Sequence, residues 1–149
     1  MVFCYRYIFL HESGILGASP DGISPDATLE IKCPYKHRLV KDLRSVLVPK
    51  EKYIIWYDDA TRKYVVNTKH HYYDQIQAQM FFSRREFSFL FIWVVNCHAV
   101  VRIDRDPSWE TNISLLLHFY VDTFIPHLLE NKDLNCESDD SEDSSSEEE

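Results

Sequence analysis

The sequence predicts one α/β domain over residues 1–131, a central mixed β-sheet flanked by helices, followed by an acidic tail over 132–149. Three observations carry this. Hydrophobic residues make up 45% and aromatics 14% of the 149 residues, enough for a real core and too much for a wholly disordered chain. Runs rich in β-branched and aromatic residues, bounded by turn residues, recur at 2–10, 53–57, 63–67, 86–95 and 97–103. Between them, 36–47 and 69–82 repeat apolar positions at helical spacing, and strands alternating with helices suit a sheet with helices on its faces.

Taken in order, residues 2–10 (VFCYRYIFL) are apolar on both faces, as a covered strand is. His11 to Gly14 supply a turn, and Ile15 to Ala18 a short strand. Pro20-Asp21-Gly22 reads as a tight turn in which proline presets φ and Gly22 supplies a positive φ. Residues 28–33 form a strand stopped by Pro34. Leu39, Val40, Leu43, Val46 and Leu47 share a helical stripe ended by Pro49, with Lys36, Arg38, Lys41 and Arg44 largely off it. YIIWY and KYVVN flank a charged tip and read as a hairpin. Its Trp56 and Tyr57 either pack in the sheet, the ordinary fate of strand aromatics, or stack on a base.

The next helix spans Lys69 to Phe82, with Tyr72, Ile76 and Met80 on an apolar face and Gln75 and Gln79 stacked on a polar one. Arg84 and Arg85 follow, favourable for the helix dipole and able to meet phosphate. Two strands then turn tightly at Asn96, and Asp106-Pro107 opens a last helix. Its stripe of Trp109, Ile113, Leu116, Leu117, Tyr120 and Phe124 faces the sheet, and Pro126 marks a kink or stop.

The net charge of −8 is misplaced for a nucleic-acid binder until it is located. Residues 137–149 hold eight acids and no base, and without them acids and bases balance at 16 each. Residues 32–71 carry ten Lys or Arg against four acids, the footprint expected of a phosphate-binding face, although lysines also populate any solvated surface. The tail has almost nothing apolar to offset ordering entropy. Its serines suit an acidophilic kinase, and it reads either as a solubilising segment or as a DNA mimic competing for the basic stretch.

Cys4, Cys33, Cys97 and Cys136 show no C-x-x-C spacing and read as reduced thiols of an intracellular protein, nuclear in a eukaryote. His70-His71 is not expected to chelate, because adjacent side chains on a regular element point apart. No signal peptide or membrane span is expected, since Phe87 to Val95 has about half the ~20 apolar residues a spanning helix needs.

One stretch asks for chemistry. In a strand, Glu30 and Lys32 share one face while Leu29, Ile31 and Cys33 share the other, and a hairpin turning near Asp26-Ala27 brings Asp21 beside Glu30. Two carboxylates and the Ile31 carbonyl can partly enclose Mg²⁺ or Mn²⁺, and Lys32 can hold the attacking water or developing negative charge. The bland reading is that Pro-Asp-Gly is a common turn and Glu-x-Lys ends many strands. Against it, charge on a sheet strand between apolar strands costs several kcal/mol unless paired or metal-bound.

Three segments, Gly17-Ala18-Ser19-Pro20-Asp21-Gly22, Leu29-Glu30-Ile31-Lys32-Cys33-Pro34 and Tyr72 to Met80, together resemble the PD-(D/E)xK nucleases, and within them the lambda exonuclease and YqaJ-type viral recombinase group. The resemblance runs from about Phe3 to Leu129. It implies a restriction-endonuclease-like core and a metal-dependent exonuclease acting on duplex DNA ends in recombination or repair. Asp21, Glu30, Lys32 and Gln75 fall at its catalytic positions, and Tyr72 lies beside the metal site. It also implies DNA as partner, and a homo-oligomer or recombinase partner. Family members carry helices before this core that add an acidic ligand and a phosphate pocket, so the chain reads as a core without them; the alternative is a nuclease-derived DNA-binding or interaction module.

Overall fold

The computed structural model describes residues 8–132, which divide after Thr111 into two units. In the first, β1 (Phe9–Leu10) pairs antiparallel with β2 (Gly17–Ala18). Gly17 is needed there, since a Cβ would come within 2.9 Å of the Phe9 carbonyl oxygen. The rest of the strand expected over 2–10, like the tail beyond 132, lies outside the described residues.

The central sheet has the order β3 (Gly22–Ile23), β4 (Ala27–Lys32), β7 (Phe87–Val94), β8 (Cys97–Asp104). β4 and β7 run parallel and the other neighbours antiparallel, so the sheet is mixed, as expected. A parallel pair needs a long crossover. Here it holds the hairpin of β5 (Ile55–Asp58) and β6 (Lys63–Val66), then helix α1 (His71–Ser83). α1 packs across β4 and β7. Alternation along the strands gives the sheet an inner face of Leu90, Ile92, Val94, Ala99 and Ile103, all buried, with Ile76 and Met80 of α1 also buried. On the opposite face Phe89, Trp93 and Val100 are exposed.

Two local expectations are corrected. The helix expected over 36–47 is instead a series of 3₁₀ turns, Tyr35–His37, Leu43–Ser45 and Pro49–Glu51. The Asp42 carboxylate accepts from the Arg44 backbone N–H, a local bond that competes with a continuous helix, and only Leu43 and Leu47 of the stripe are buried, while Leu39 is 67% exposed. Gly22 is not in the left-handed region; it is an extended residue paired with Leu29, and Ser24 closes the turn by bonding Ala27.

The Asp106 side chain accepts from the Ser108 N–H and opens the 3₁₀ turn Pro107–Glu110, the capping role expected of it. In the second unit, helix α2 (Thr111–Phe119) leads through a π-helical turn, Tyr120–Phe124, into α3 (Ile125–Lys132). Pro126 therefore does not stop the helix. It lies in the first turn of α3, where a missing N–H is tolerated, and the widened turn before it relieves the clash of its ring with the preceding carbonyls. The Phe119, Tyr120 and Phe124 rings cluster around that turn at centroid separations of 5.2–6.2 Å.

Candidate active site

The β3–β4 hairpin places Gly22 opposite Leu29, so Asp21, one residue before the pairing begins, stands beside Glu30. Asp21 Oδ2 accepts the Ile31 backbone N–H at 2.7 Å. β3 is too short to reach Ile31, and this carboxylate takes the place of the missing strand. A residue's N–H and C=O leave a strand on the same edge, so the Ile31 carbonyl opens on the Asp21 side as well.

Glu30 is 2% exposed, while its apolar neighbour Ile31 is 39% exposed. The charged face of β4 is the one turned inward, toward α1. A carboxylate so buried must be compensated. Lys32 makes an ion pair with Glu30 Oε1, with its side chain 16% exposed. Gln75 Nε2 donates to the same oxygen at 2.8 Å, and Gln75 Oε1 accepts from Lys32 Nζ at 3.1 Å, closing a three-membered ring of contacts. Gln79 Nε2 donates to Glu30 Oε2 at 2.6 Å. The Lys32 ammonium also lies 4.2 Å from the centre of the Tyr72 ring, a cation–π contact.

Gln79 is the residue sequence reasoning missed. It sits on the polar face of the helix, as the spacing predicts, yet it is 1% exposed. The i, i+4 spacing from Gln75 was the available signal, since both glutamines converge on one carboxylate from successive turns of α1. Gln77 is buried for another purpose, donating to the Asp104 carbonyl at 3.0 Å and accepting from the Asp106 N–H at 2.9 Å. Gln79 Oε1 and Thr28 Oγ1 are buried without a hydrogen-bond partner among the described residues.

The basic residues named from sequence differ in how they are held. Lys36 pairs with Glu51 at 2.5 Å, and Arg44 forms a two-pronged pair with Asp42 and lies over the Tyr57 ring. Arg38 stacks on the Tyr35 ring at 4.0 Å, and Lys41 is exposed. Arg84 caps α1 in the left-handed region, φ 54°, and is exposed. Arg85 is half-buried and donates to the Ser24 and Ser83 carbonyls, each at 2.9 Å, tying the β3–β4 turn to the end of α1.

His70 and His71 do not point apart. His70 is the N-cap of α1 in extended backbone and its Nδ1 accepts the Tyr72 N–H, so its ring folds back and stacks on His71 with centroids 4.3 Å apart. Burial, then the neighbouring His71, pulls the His70 imidazole below its ordinary pKa, with Asp74 opposing and Lys32 assisting. Tyr53, whose ring meets both His70 and Tyr72 edge-on, has its hydroxyl pushed up to about 12, chiefly by burial.

Among the described residues no three His, Cys, Asp or Glu side chains gather as a metal cluster. A site of two carboxylates and one backbone carbonyl does not need three. Asp21, Glu30 and the Ile31 carbonyl are an all-oxygen set, which suits a hard divalent ion that retains several waters.

Residues 4–86 match the model of the YqaJ-like viral recombinase domain. No curated protein is significantly similar to the chain. Among solved structures, LHK-Exo in complex with dAMP superposes with a TM-score of 0.63 at 19% identity, over 90% of this chain and 62% of that one. The alkaline exonuclease LHK-Exo from Laribacter hongkongensis gives 0.58 at 21%, over 90% and 63%. The chain thus spans less than two thirds of the structures it resembles, and the fold they share is the expected α/β one with a restriction-endonuclease-like core.

Proposed function

The chain belongs to the YqaJ-like viral recombinase domain family, and from that premise we propose that it is a divalent-metal-dependent deoxyribonuclease acting on the ends of duplex DNA in recombination or repair. The observation that carries the proposal is the buried Glu30, surrounded by Lys32, Gln75 and Gln79 and flanked by Asp21 on the Ile31 N–H. An ordinary fold does not pay for a carboxylate at 2% exposure with one lysine and two glutamines.

Asp21, Glu30 and the Ile31 carbonyl would hold Mg²⁺ or Mn²⁺, which when bound polarises the phosphate and lowers the pKa of its water. Gln75 and Gln79 fix the Glu30 carboxylate in one orientation, each from α1. Lys32, held between Glu30 and Gln75 with Tyr72 beneath it, is placed to orient the attacking water or to balance negative charge on the phosphate oxygens. Lys36, Arg38, Lys41, Arg44, Arg84 and Arg85 would supply phosphate contacts that position the duplex.

Incubating the protein with linear duplex DNA and Mg²⁺, beside the Glu30→Ala and Lys32→Ala variants, tests this. Cleavage lost in both variants and in EDTA is the expected result. Binding without cleavage, unchanged by Glu30→Ala, would instead favour a DNA-binding module derived from a nuclease.

A further inference from the structure

Helix α1 begins on a cap that can titrate. The first N–H groups of a helix lack partners within it, and serine, threonine, asparagine or aspartate ordinarily supplies the missing acceptor. α1 uses His70 instead, whose Nδ1 accepts the Tyr72 backbone N–H at 3.1 Å. An imidazole nitrogen accepts only while it carries no proton, so this bond exists only with His70 neutral. Asparagine would make the same cap at every pH, whereas histidine gives it up on protonation.

The cap stands directly before the side chains that hold Lys32. Gln75 Oε1 accepts from Lys32 Nζ at 3.1 Å, and the Tyr72 ring centre lies 4.2 Å from the same ammonium. Behind Tyr72 are the His71 and His70 rings, at 4.4 and 4.8 Å. Tyr53 closes the group, meeting His70 and Tyr72 edge-on at 5.6 and 6.2 Å. Lys32 therefore rests on a layer of four rings whose centre is the capping histidine.

A proton on His70 disturbs this layer in two ways. The Tyr72 N–H loses its acceptor, and a cation appears at the positive end of the α1 dipole. The same cation lies against the Tyr72 ring, so it competes with the Lys32 ammonium for one π face. The surroundings mostly oppose that proton. Burial and then His71 disfavour it, Asp74 favours it and Lys32 disfavours it. Lys52 and Lys69 line the same cleft as His70, and the Asp74 carboxylate is already engaged by the Trp109 indole N–H at 2.9 Å.

Resting on the nuclease reading above, we propose that His70 is a positioning residue for Lys32 that acts through α1: the neutral imidazole caps the helix and keeps Tyr72 and Gln75 on the ammonium, and a proton on it loosens both. Cleavage is thereby tied to the charge of a side chain outside the proposed metal ligands.

Two readouts test this on the full chain in wild type, His70→Asn and His70→Ala. The first is the hydrogen-exchange protection of the Tyr72 amide in EDTA, followed by NMR from about pH 5 to 8. Protection is expected to fall toward acid in wild type, to stay level in His70→Asn, whose cap does not titrate, and to be low throughout in His70→Ala. The second is the pH profile of linear duplex cleavage in Mg²⁺. At the acid end His70→Asn should retain about fivefold more of its alkaline-side rate than wild type does, and His70→Ala should be about fivefold slower than wild type at the alkaline end, the size of a lost helix cap. Tyr72 protection that does not change with pH in wild type, or superimposable profiles for wild type and His70→Asn, overturns the positioning role while cleavage keeps the nuclease reading. Protection that follows pH in wild type and not in His70→Asn, without cleavage at any pH, supports the titrating cap and overturns the nuclease reading.

Discussion

Replacing Lys32 with methionine leaves the Glu30 carboxylate buried with no cation beside it. Breaking a buried ion pair from one side costs about 3–5 kcal/mol, and the lower end applies because Lys32 is 16% exposed and both glutamines remain. We therefore expect a loss of about 3 kcal/mol for Lys32→Met. Glu30→Leu removes the buried charge but strands the Gln79 amide, which is 1% exposed, at a cost of about 2 kcal/mol. Gln75 is exposed and returns to water. The double variant keeps only the Gln79 defect and should also cost about 2 kcal/mol, giving a coupling near 3 kcal/mol, at the top of the range for residues in contact. Urea unfolding in EDTA, followed by tryptophan fluorescence, reads this cleanly because Trp56, Trp93 and Trp109 all lie in the first unit. With a slope near 1.5 kcal/mol/M, Lys32→Met should lower the midpoint by about 2 M and the double variant by less. A double variant whose loss equals the sum of the two singles would refute the reasoning, because it would mean that the two charges do not depend on each other.

Three further outcomes follow from the same geometry. Mg²⁺ at about a hundred times its dissociation constant should stabilise wild type by about 2.7 kcal/mol, and chelation or Asp21→Asn should abolish the gain; equal stabilisation of Asp21→Asn in a thermal melt would place the ion elsewhere. Gln79→Leu should lower cleavage by at least about tenfold, as expected when a group that orients a reacting carboxylate is lost, while Gln79→Glu, which opposes two carboxylates, should also unfold at lower urea than Gln79→Leu. Tyr53 ionises at about 12 when folded against an ordinary 10.0, so its neutral form is favoured by the fold. That stability is whole below pH 10 and is lost as pH rises through 12, because the unfolded state gives up its proton first. Tyr53→Phe should flatten this alkaline loss in a urea series at pH 9 to 12, and an unchanged slope would reassign it.

Much of the fold was legible because periodicity follows from burial. β4, β7, β8 and α1 came within a residue or two of their expected bounds, because alternation and helical spacing mark where an element begins and ends. The stretch from 36 to 47 failed for an identifiable reason. Its apolar spacing fits a helix, but Asp42 satisfies the Arg44 N–H with its own side chain, and the segment between Pro34 and Pro49 folds as separate turns. Periodicity cannot register that competition, since it counts apolar positions and ignores what polar side chains do to the backbone. The His70–His71 stack was missed on the same ground: the rule that adjacent residues diverge holds within a regular element, and His70 is the residue before one.

The candidate site was legible in its charges and illegible in its support. Glu30 and Lys32 on one strand face, with Asp21 brought back by a turn, follow from alternation and hairpin geometry alone. What alternation does not say is which face is inside. The expectation that a strand so placed buries charge at a cost is met, since the structure buries Glu30 at 2% exposure and leaves Ile31 39% exposed. The burial of the charged face becomes intelligible through α1. A helix that carries Gln75 and Gln79 on the side facing β4 would have a poor core face against a hydrophobic strand, and a charged strand would have a poor core face against a hydrophobic helix. Each element is inconsistent with burial alone and consistent only with the other. Two such departures, placed 45 residues apart at Glu30 and Gln75 and meeting at 2.8 Å, are more informative than either motif. Stability alone would select apolar residues at the two buried positions, Glu30 and Gln79, and the proposed nuclease chemistry supplies a reason for polar ones there.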